Sequence, residues 1–156
     1  MTLNLDKTDL KILKILQENG RITNLQLSQE IGLSPAPTLE RVKKLEQRKL
    51  IRSYHAIINE EALGIGIKVV ITLTLARQIE NAITNFTKAI SNIPEIMDCY
   101  QVTGNADFVL MAMVRDIPHF EQLISHKLGK IEEIGQMQSM VVLSRSKQSH
   151  VIPFEY

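Results

Sequence analysis

The sequence is short of the features that mark secreted, membrane-spanning or metal-dependent proteins. Its 156 residues include a single cysteine, Cys99. No intrachain disulfide framework is therefore available, and a reducing cytoplasm is the expected setting. No apolar run approaches the ~20 residues that a spanning helix needs. Met1 to Asp9 lacks the basic-then-apolar order of a secretion signal, so none is expected. The four histidines, at positions 55, 119, 126 and 150, are scattered. His119 and His126 stand seven apart, too far for a compact metal pair, and read as solvent-facing. Cys99 falls in an apolar strand-like stretch without a nearby base and reads as a small core residue. Paired carboxylates, a phosphate loop and a nucleophile motif are all missing. No enzyme activity, catalytic residue, metal or cofactor is expected.

Hydrophobic residues make up 44% and charged residues 22%, the balance of a folded chain with room for one ordinary domain or two small ones. The net charge of +1 hides an asymmetry. Residues 1–59 carry ten Lys/Arg against six Asp/Glu, a net of +4, and the remainder carries eight against eleven, a net of −3. A basic head on an acidic body implies an anionic partner for the head.

Periodicity divides the chain at the same place. Up to about Leu50 apolar residues recur every three or four positions, as in helices, whereas beyond Ile65 strand-like and helical stretches alternate. The expected organisation is a first domain over 1–59, a polar linker over 60–64 ending in glycine, and a second domain over 65–156. In the head, Asp6-x-x-Asp9 opens a first helix with Leu10, Ile12, Leu13 and Leu16 inward, ending at Gly20. Thr23-Asn-Leu-Gln26 is a capping box for a second helix, stopped at Gly32. Ser34-Pro35 caps a third, with Leu39, Val42 and Leu45 inward. The β-rich run Ile51 to Ile58 is a candidate wing strand. In the body the pattern predicts strand 65–77, helix 80–92, strands 96–103 and 107–115 joined by a hairpin turn at Gly104-Asn105, helix 117–128 capped by Asp116, and strand 135–146. A short edge strand after Ser146 is also expected. This βαββαβ order is the ferredoxin-like arrangement, one antiparallel sheet with both helices on one face. The fold class is therefore α+β.

Three features carry chemistry. The helices at 24–31 and 35–48, joined by a short glycine-containing turn, form a helix-turn-helix, whose second helix enters the major groove of double-stranded DNA by its N-terminal end. Ser34, Ala36 and Thr38 are small enough for close approach there. Glu40, Arg41, Lys43 and Lys44 follow on the expected outer face, the arginine suited to guanine or phosphate and the lysines to phosphate. Glu40 is repelled by phosphate unless it accepts from a cytosine amine. It keeps open a second reading, a ligand-sensing or assembly module with weak or no DNA binding. In Thr103-Gly104-Asn105-Ala106-Asp107, a turn with exposed amides and a carboxylate three residues after the glycine either simply closes a hairpin, with Asp107 as its cap, or suits the two charges of an α-amino acid; the residues alone favour the first. The strand at 107–115 is apolar on both faces: Phe108, Leu110, Ala112 and Val114 on one, Val109, Met111 and Met113 on the other. Helices cover only one face of such a sheet, so a second subunit's sheet is expected on the other. Most of the body methionines, 97, 111, 113 and 137, read as gap-filling core, Met140 being the exception because of its position.

Several segments together make the family recognisable. Leu5-Asp6-x-x-Asp9-x-x-Ile12-Leu13-x-x-Leu16-Gln17, Gly20-Arg21, Leu33-Ser34-Pro35-Ala36-Pro37 and Arg41-Val42-Lys43-Lys44-Leu45-Glu46 lie in the head. Tyr100-Gln-Val-Thr-Gly104-Asn-Ala-Asp107 and Ser139-Met-Val-Val142 lie in the body. The chain so resembles the Lrp/AsnC (leucine-responsive/asparagine regulator, feast-famine) family over nearly its whole length. The resemblance implies an N-terminal winged helix-turn-helix, a C-terminal ferredoxin-like amino-acid-sensing domain, and homodimers that assemble to octamers. It implies a cytoplasmic transcriptional regulator that binds and bends operator DNA and answers to an amino acid or related metabolite. Carried over, Gly104, Asn105 and Asp107 form the polar part of an effector site between subunits, with Ile117, Met140, Val141 and Val142 shaping the side-chain pocket. Lys49 stands where the family commonly ends its recognition helix with glycine, so either a residue with a side chain takes a left-handed conformation there at a modest strain, or the helix ends differently.

Overall fold

The computed structural model describes residues 5–76 and 80–154. Arg77, the expected end of the first body strand, lies outside them. The chain divides into two compact units, one formed by residues up to Ile57 together with those from Ser146 onward, the other by Ile58–Arg145.

The first unit is built on three helices, α1 (Lys7–Glu18), α2 (Asn24–Ile31) and α3 (Pro35–Gln47). Reciprocal capping boxes start the first two, Asp6 with Asp9 and Thr23 with Gln26, and satisfy amides that would otherwise lack partners. Gly32 closes α2 at φ 75°, a left-handed position suited to glycine. α3 begins with Pro35 at its first turn, but the Ser34 side chain makes no capping bond. The Thr38 hydroxyl donates instead to the Ser34 carbonyl at 2.9 Å. Ile12, Leu27 and Leu45, one from each helix, form the buried centre. After α3 the backbone turns at Lys49 with φ 56°, the left-handed one of the two endings expected there.

Residues 51–58 were expected as a wing strand, and no ladder forms there among the described residues. No partner strand lies beside them, and Tyr54 is tied to the head instead. Its hydroxyl donates to Glu46 at 2.9 Å. Partial burial, then the Glu46 carboxylate, push that phenol up to about 12. The tail was expected to belong to the second domain and to add an edge strand; no strand forms among its described residues from Ser146 onward, and by contacts it groups with the head. Gln17 of α1 holds both polar groups of Ile152: the Ile152 amide donates to Oε1 at 2.7 Å, and Nε2 donates to the carbonyl at 3.5 Å.

The second unit contains β1 (Ile67–Leu75), α4 (Glu80–Ser91), β2 (Ile96–Gln101), β3 (Phe108–Val114), α5 (Ile117–Gln122) and β4 (Ile134–Val141). The antiparallel sheet has the order β2-β3-β1-β4, the ferredoxin-like topology read from the sequence. Strict alternation buries Val69, Ile71, Leu73 and Leu75 of β1 and Phe108, Leu110, Ala112 and Val114 of β3 under the helices. Phe86 of α4 sits against Phe108 with ring centroids 4.6 Å apart. Cys99, expected in the core, is exposed because β2 is an edge strand.

The second helix is not regular to residue 128. It leaves α-geometry after Gln122 for one π-turn over Leu123–Lys127 and a 3₁₀-turn over Leu128–Lys130. Residues eight apart on an α-helix are rotated by about 80°. The extra residue of a π-turn removes most of that rotation and brings His119 and Lys127 to the same carboxylate. Lys127 Nζ lies 2.6 and 2.8 Å from the two Glu95 oxygens, and His119 Nε2 lies 3.0 Å from one. His119 is thus a partner of Glu95, not the solvent-facing histidine expected. Burial alone would raise the Glu95 carboxyl, but the bonds from Lys127 and His119 outweigh it and hold it from 4.5 down to about 2. A lowered carboxyl stabilises the fold above its unfolded-state value and loses that contribution as pH falls through the folded value. Glu95→Gln should therefore cost about 2 kcal/mol at pH 7, the worth of hydrogen bonds to a charged group. The urea midpoints of variant and parent should converge between pH 4.5 and 2. A constant difference down to pH 2 would contradict the assignment.

Candidate nucleic-acid interface and effector site

The two faces of α3 follow from its winding, about 100° per residue. Thr38 and Leu45, seven apart, are both buried. Ala36, Leu39, Glu40, Lys43, Lys44 and Gln47 are exposed on the opposite side. Two expected positions change places: Leu39, expected inward, is 42% exposed, and Thr38, expected at the bases, is 0% exposed. Thr38 is a helix-packing residue and cannot reach a groove.

Arg41 lies on the flank of α3 that faces the start of α1, where its Nη1 is 2.7 Å from Asp6 and 2.7 Å from Asp9. Those carboxylates raise the guanidinium further. The Asp9 backbone amide first, then Arg41, lower Asp6. Arg41 therefore clasps α3 to α1 in the DNA-free chain, a role the sequence did not show. Ser34, Ala36, Glu40, Lys43 and Lys44 remain on the exposed side as expected. Lys43 sits 3.4 Å from Glu40, an exposed pair that offsets the carboxylate's repulsion of phosphate. Asn24 of α2 donates to the Pro35 carbonyl at 2.8 Å and pins the N-terminal end of α3. Sequence reasoning missed Leu39. The seven-residue spacing of Thr38 and Leu45 could have found it, since residues 39 and 45 differ by about 120° around a helix.

In the second unit the expected effector residues fall in two groups. Gly104, at φ 122°, and Asn105 form the β2–β3 hairpin loop, at the end of the sheet where β1 finishes. Asp107 is there too. Its Oδ2 accepts from the Leu75 amide at 2.8 Å, and its own amide donates to the Leu73 carbonyl at 2.9 Å. One carboxylate oxygen therefore already serves the sheet. Met140 lies opposite Val70, Val141 opposite Val69, and the Val142 amide donates to the Lys68 carbonyl. These residues and Ile117, which follows β3, sit at the end where β1 begins. Leu75 and Val69 are six residues apart, about 20 Å at ~3.3 Å per residue. A single copy does not bring the two groups together.

The face of the sheet away from the helices exposes Val70, Val109, Met111, Met113 and Met140, none of them fully buried. At one end of the unit a groove of about 510 Å³ is lined mainly by apolar side chains, among them Ile58, Leu63, Ile65, Met97 and Met113, with Glu95 and His119 at its edge. None of the expected effector residues lines it. Among the described residues no cluster of His, Cys, Asp and Glu is arranged to hold a metal, and no helix is long and apolar enough to cross a membrane.

Residues 68–152 match the family model for the Lrp/AsnC ligand-binding domain, and residues 5–52 match one for winged helix-turn-helix DNA-binding. The leucine-responsive regulatory protein of Haemophilus influenzae is 36% identical over 148 residues, covering 95% of this chain and 89% of that one. Its Escherichia coli K12 counterpart is 35% identical over 147 residues, covering 94% and 90%. Among solved structures, a transcriptional regulator of Neisseria meningitidis in complex with L-Met superposes with a TM-score of 0.93 at 35% identity, covering 97% of this chain and 98% of that one. An AsnC-family regulator from Agrobacterium tumefaciens gives 0.90 at 27% identity, covering 96% and 97%.

Proposed function

Because the chain belongs to the Lrp/AsnC family of transcriptional regulators, we propose that it binds double-stranded DNA through α3 and adjusts that binding to an amino acid held by the second unit. The observation that carries this reading is the exposed stripe of α3. Small residues, Ser34 and Ala36, lie at the end that enters a major groove, with Lys43 and Lys44 following toward the backbone phosphates. The Glu40–Lys43 pair weakens the case for a head that has lost DNA binding. The protein is a regulator, not an enzyme, and its place of work is the cytoplasm, where the DNA is.

The effector is an α-amino acid or a close relative. The Neisseria meningitidis neighbour was solved with L-Met, and the unbranched apolar Met140 would suit a flexible side chain. Gly104, Asn105 and Asp107 of one copy, with Ile117, Met140, Val141 and Val142 of another, would complete a site that a single copy leaves about 20 Å apart. Dimers form through the apolar sheet face and assemble further, toward the family's octamer. A ligand bound between copies alters DNA affinity because it binds some arrangements of the heads better than others.

The test is calorimetry with the twenty amino acids, followed by DNA titrations with and without any that bind. Asp107→Asn retains an acceptor for the Leu75 amide and removes the charge an ammonium group needs. It should weaken the effector at least tenfold and leave effector-free DNA affinity within twofold, the loss of one charged bond being worth about 1.5–3 kcal/mol. Silence across the whole panel would refute the sensor reading. A salt-independent DNA titration would refute the other half.

A further inference from the structure

On the DNA-binding reading above, we propose that Leu39 is a specificity residue that reads the 5-methyl group of thymine in the major groove. An exposed leucine alone means little. Leu39 is singled out by its position on the exposed side of α3, about 40° around the helix from Lys43 and about 100–120° from the buried pair Thr38 and Leu45. It lies one turn from Ala36 and one turn before Lys43, between the end of α3 that goes deepest and the residues suited to phosphate.

The chemistry of that stretch leaves few ways to read a base. The exposed Ser34 hydroxyl can serve any base and so marks none, and the outward residues Ala36 and Leu39 have no donor or acceptor on their side chains. Glu40 accepts only. Thr38 is buried and Arg41 is held by Asp6 and Asp9. The forked donors that mark guanine and the amide that marks adenine are both missing from this end. In the major groove the apolar landmark is the thymine methyl, and alanine and other apolar side chains read it by contact. A γ-branched leucine, longer than Ala36, reaches furthest among the apolar residues of this face. The preferred half-site should therefore be marked by one or two thymines, and the preference should vanish when the methyl is removed.

Deoxyuridine pairs like thymidine and lacks only that methyl, which makes it the probe. A duplex enriched from a randomised pool by the full-length protein is resynthesised with each thymine replaced singly by deoxyuridine. At one or two positions per half-site the parent protein should lose about fourfold in affinity, the worth of burying one methyl. Leu39→Ala should bind the thymine duplex about as weakly as the parent binds the deoxyuridine duplex, and should be indifferent to the replacement. Leu39→Met, which keeps an apolar reach, should retain part of the sensitivity. Leu39 is exposed, so these variants should unfold at the parent's temperature, and the salt slope on an unselected duplex reports phosphate contact separately. An equal deoxyuridine loss in the parent and in Leu39→Ala overturns the proposal while leaving DNA binding intact. No salt-dependent binding to any duplex overturns both.

Discussion

Replacing Lys43 and Lys44 together with alanine should lower the slope of log affinity against log salt by about 1.8, because each phosphate contact releases about 0.9 of a condensed counterion. At 0.1 M salt that corresponds to a loss of about 60-fold relative to 1 M. The loss should be nearly the same for every duplex, since phosphate contacts position the protein and base contacts specify the sequence. Fluorescence anisotropy on one labelled duplex across a salt series measures it. Arg41→Ala is the contrasting variant. The sequence alone would assign it to DNA, but its guanidinium is held by Asp6 and Asp9. It should leave the slope unchanged and lower the melting temperature of the head. That effect should fade as the Asp6 carboxylate protonates, since Asp6 is held below its ordinary 3.8. A slope that falls by about one in Arg41→Ala would show that the clasp opens on DNA.

The second large effect concerns assembly. Met111 lies on the sheet face that the helices leave uncovered, in the middle of β3 and opposite Val70 of β1. With Val109 and Met113 it offers apolar surface worth several kcal/mol at ~25 cal/mol per Å² if another copy covers it. Met111→Asp would place an unpaired carboxylate in that contact, at a cost of about 3–5 kcal/mol per interface. Light scattering at micromolar concentration should then show monomer where the parent shows dimer or larger. DNA affinity should fall with it, because one head buries only ~600–1,000 Å² on a duplex and two heads are needed for two half-sites. An unchanged mass for Met111→Asp would move the interface elsewhere, and the exposed residues Tyr54 and Ile57 would then come into question.

The fold was legible in the sequence because each unit follows one simple period. Alternation in β1 and β3 fixed which residues face the helices, and the two capping boxes fixed where α1 and α2 begin. At Lys49 two endings were open, and the structure takes the left-handed one at φ 56°. The failures share a cause. Hydrophobicity favoured Leu39 over Thr38 as the inward residue. The geometry of the turn, with Leu45 buried seven residues on, favours the threonine, and its hydroxyl is satisfied within its own helix by Ser34. The pairing of Arg41 was not legible because its partners lie 35 and 32 residues away. Glu95 and Lys127 meet across 32 residues. No local window contains such pairs. The wing strand and the tail strand rested on β-propensity alone, which forms nothing without a neighbouring strand.

The clasp of Gln17 on Ile152 has a consequence for how the protein is made. The DNA-binding unit is discontinuous: its last piece follows the whole of the other unit in the chain. On the ribosome the three helices and their core emerge first, and the segment that Gln17 grips emerges only after Ile58–Arg145 has been translated. That grip is therefore the last contact of the head to form.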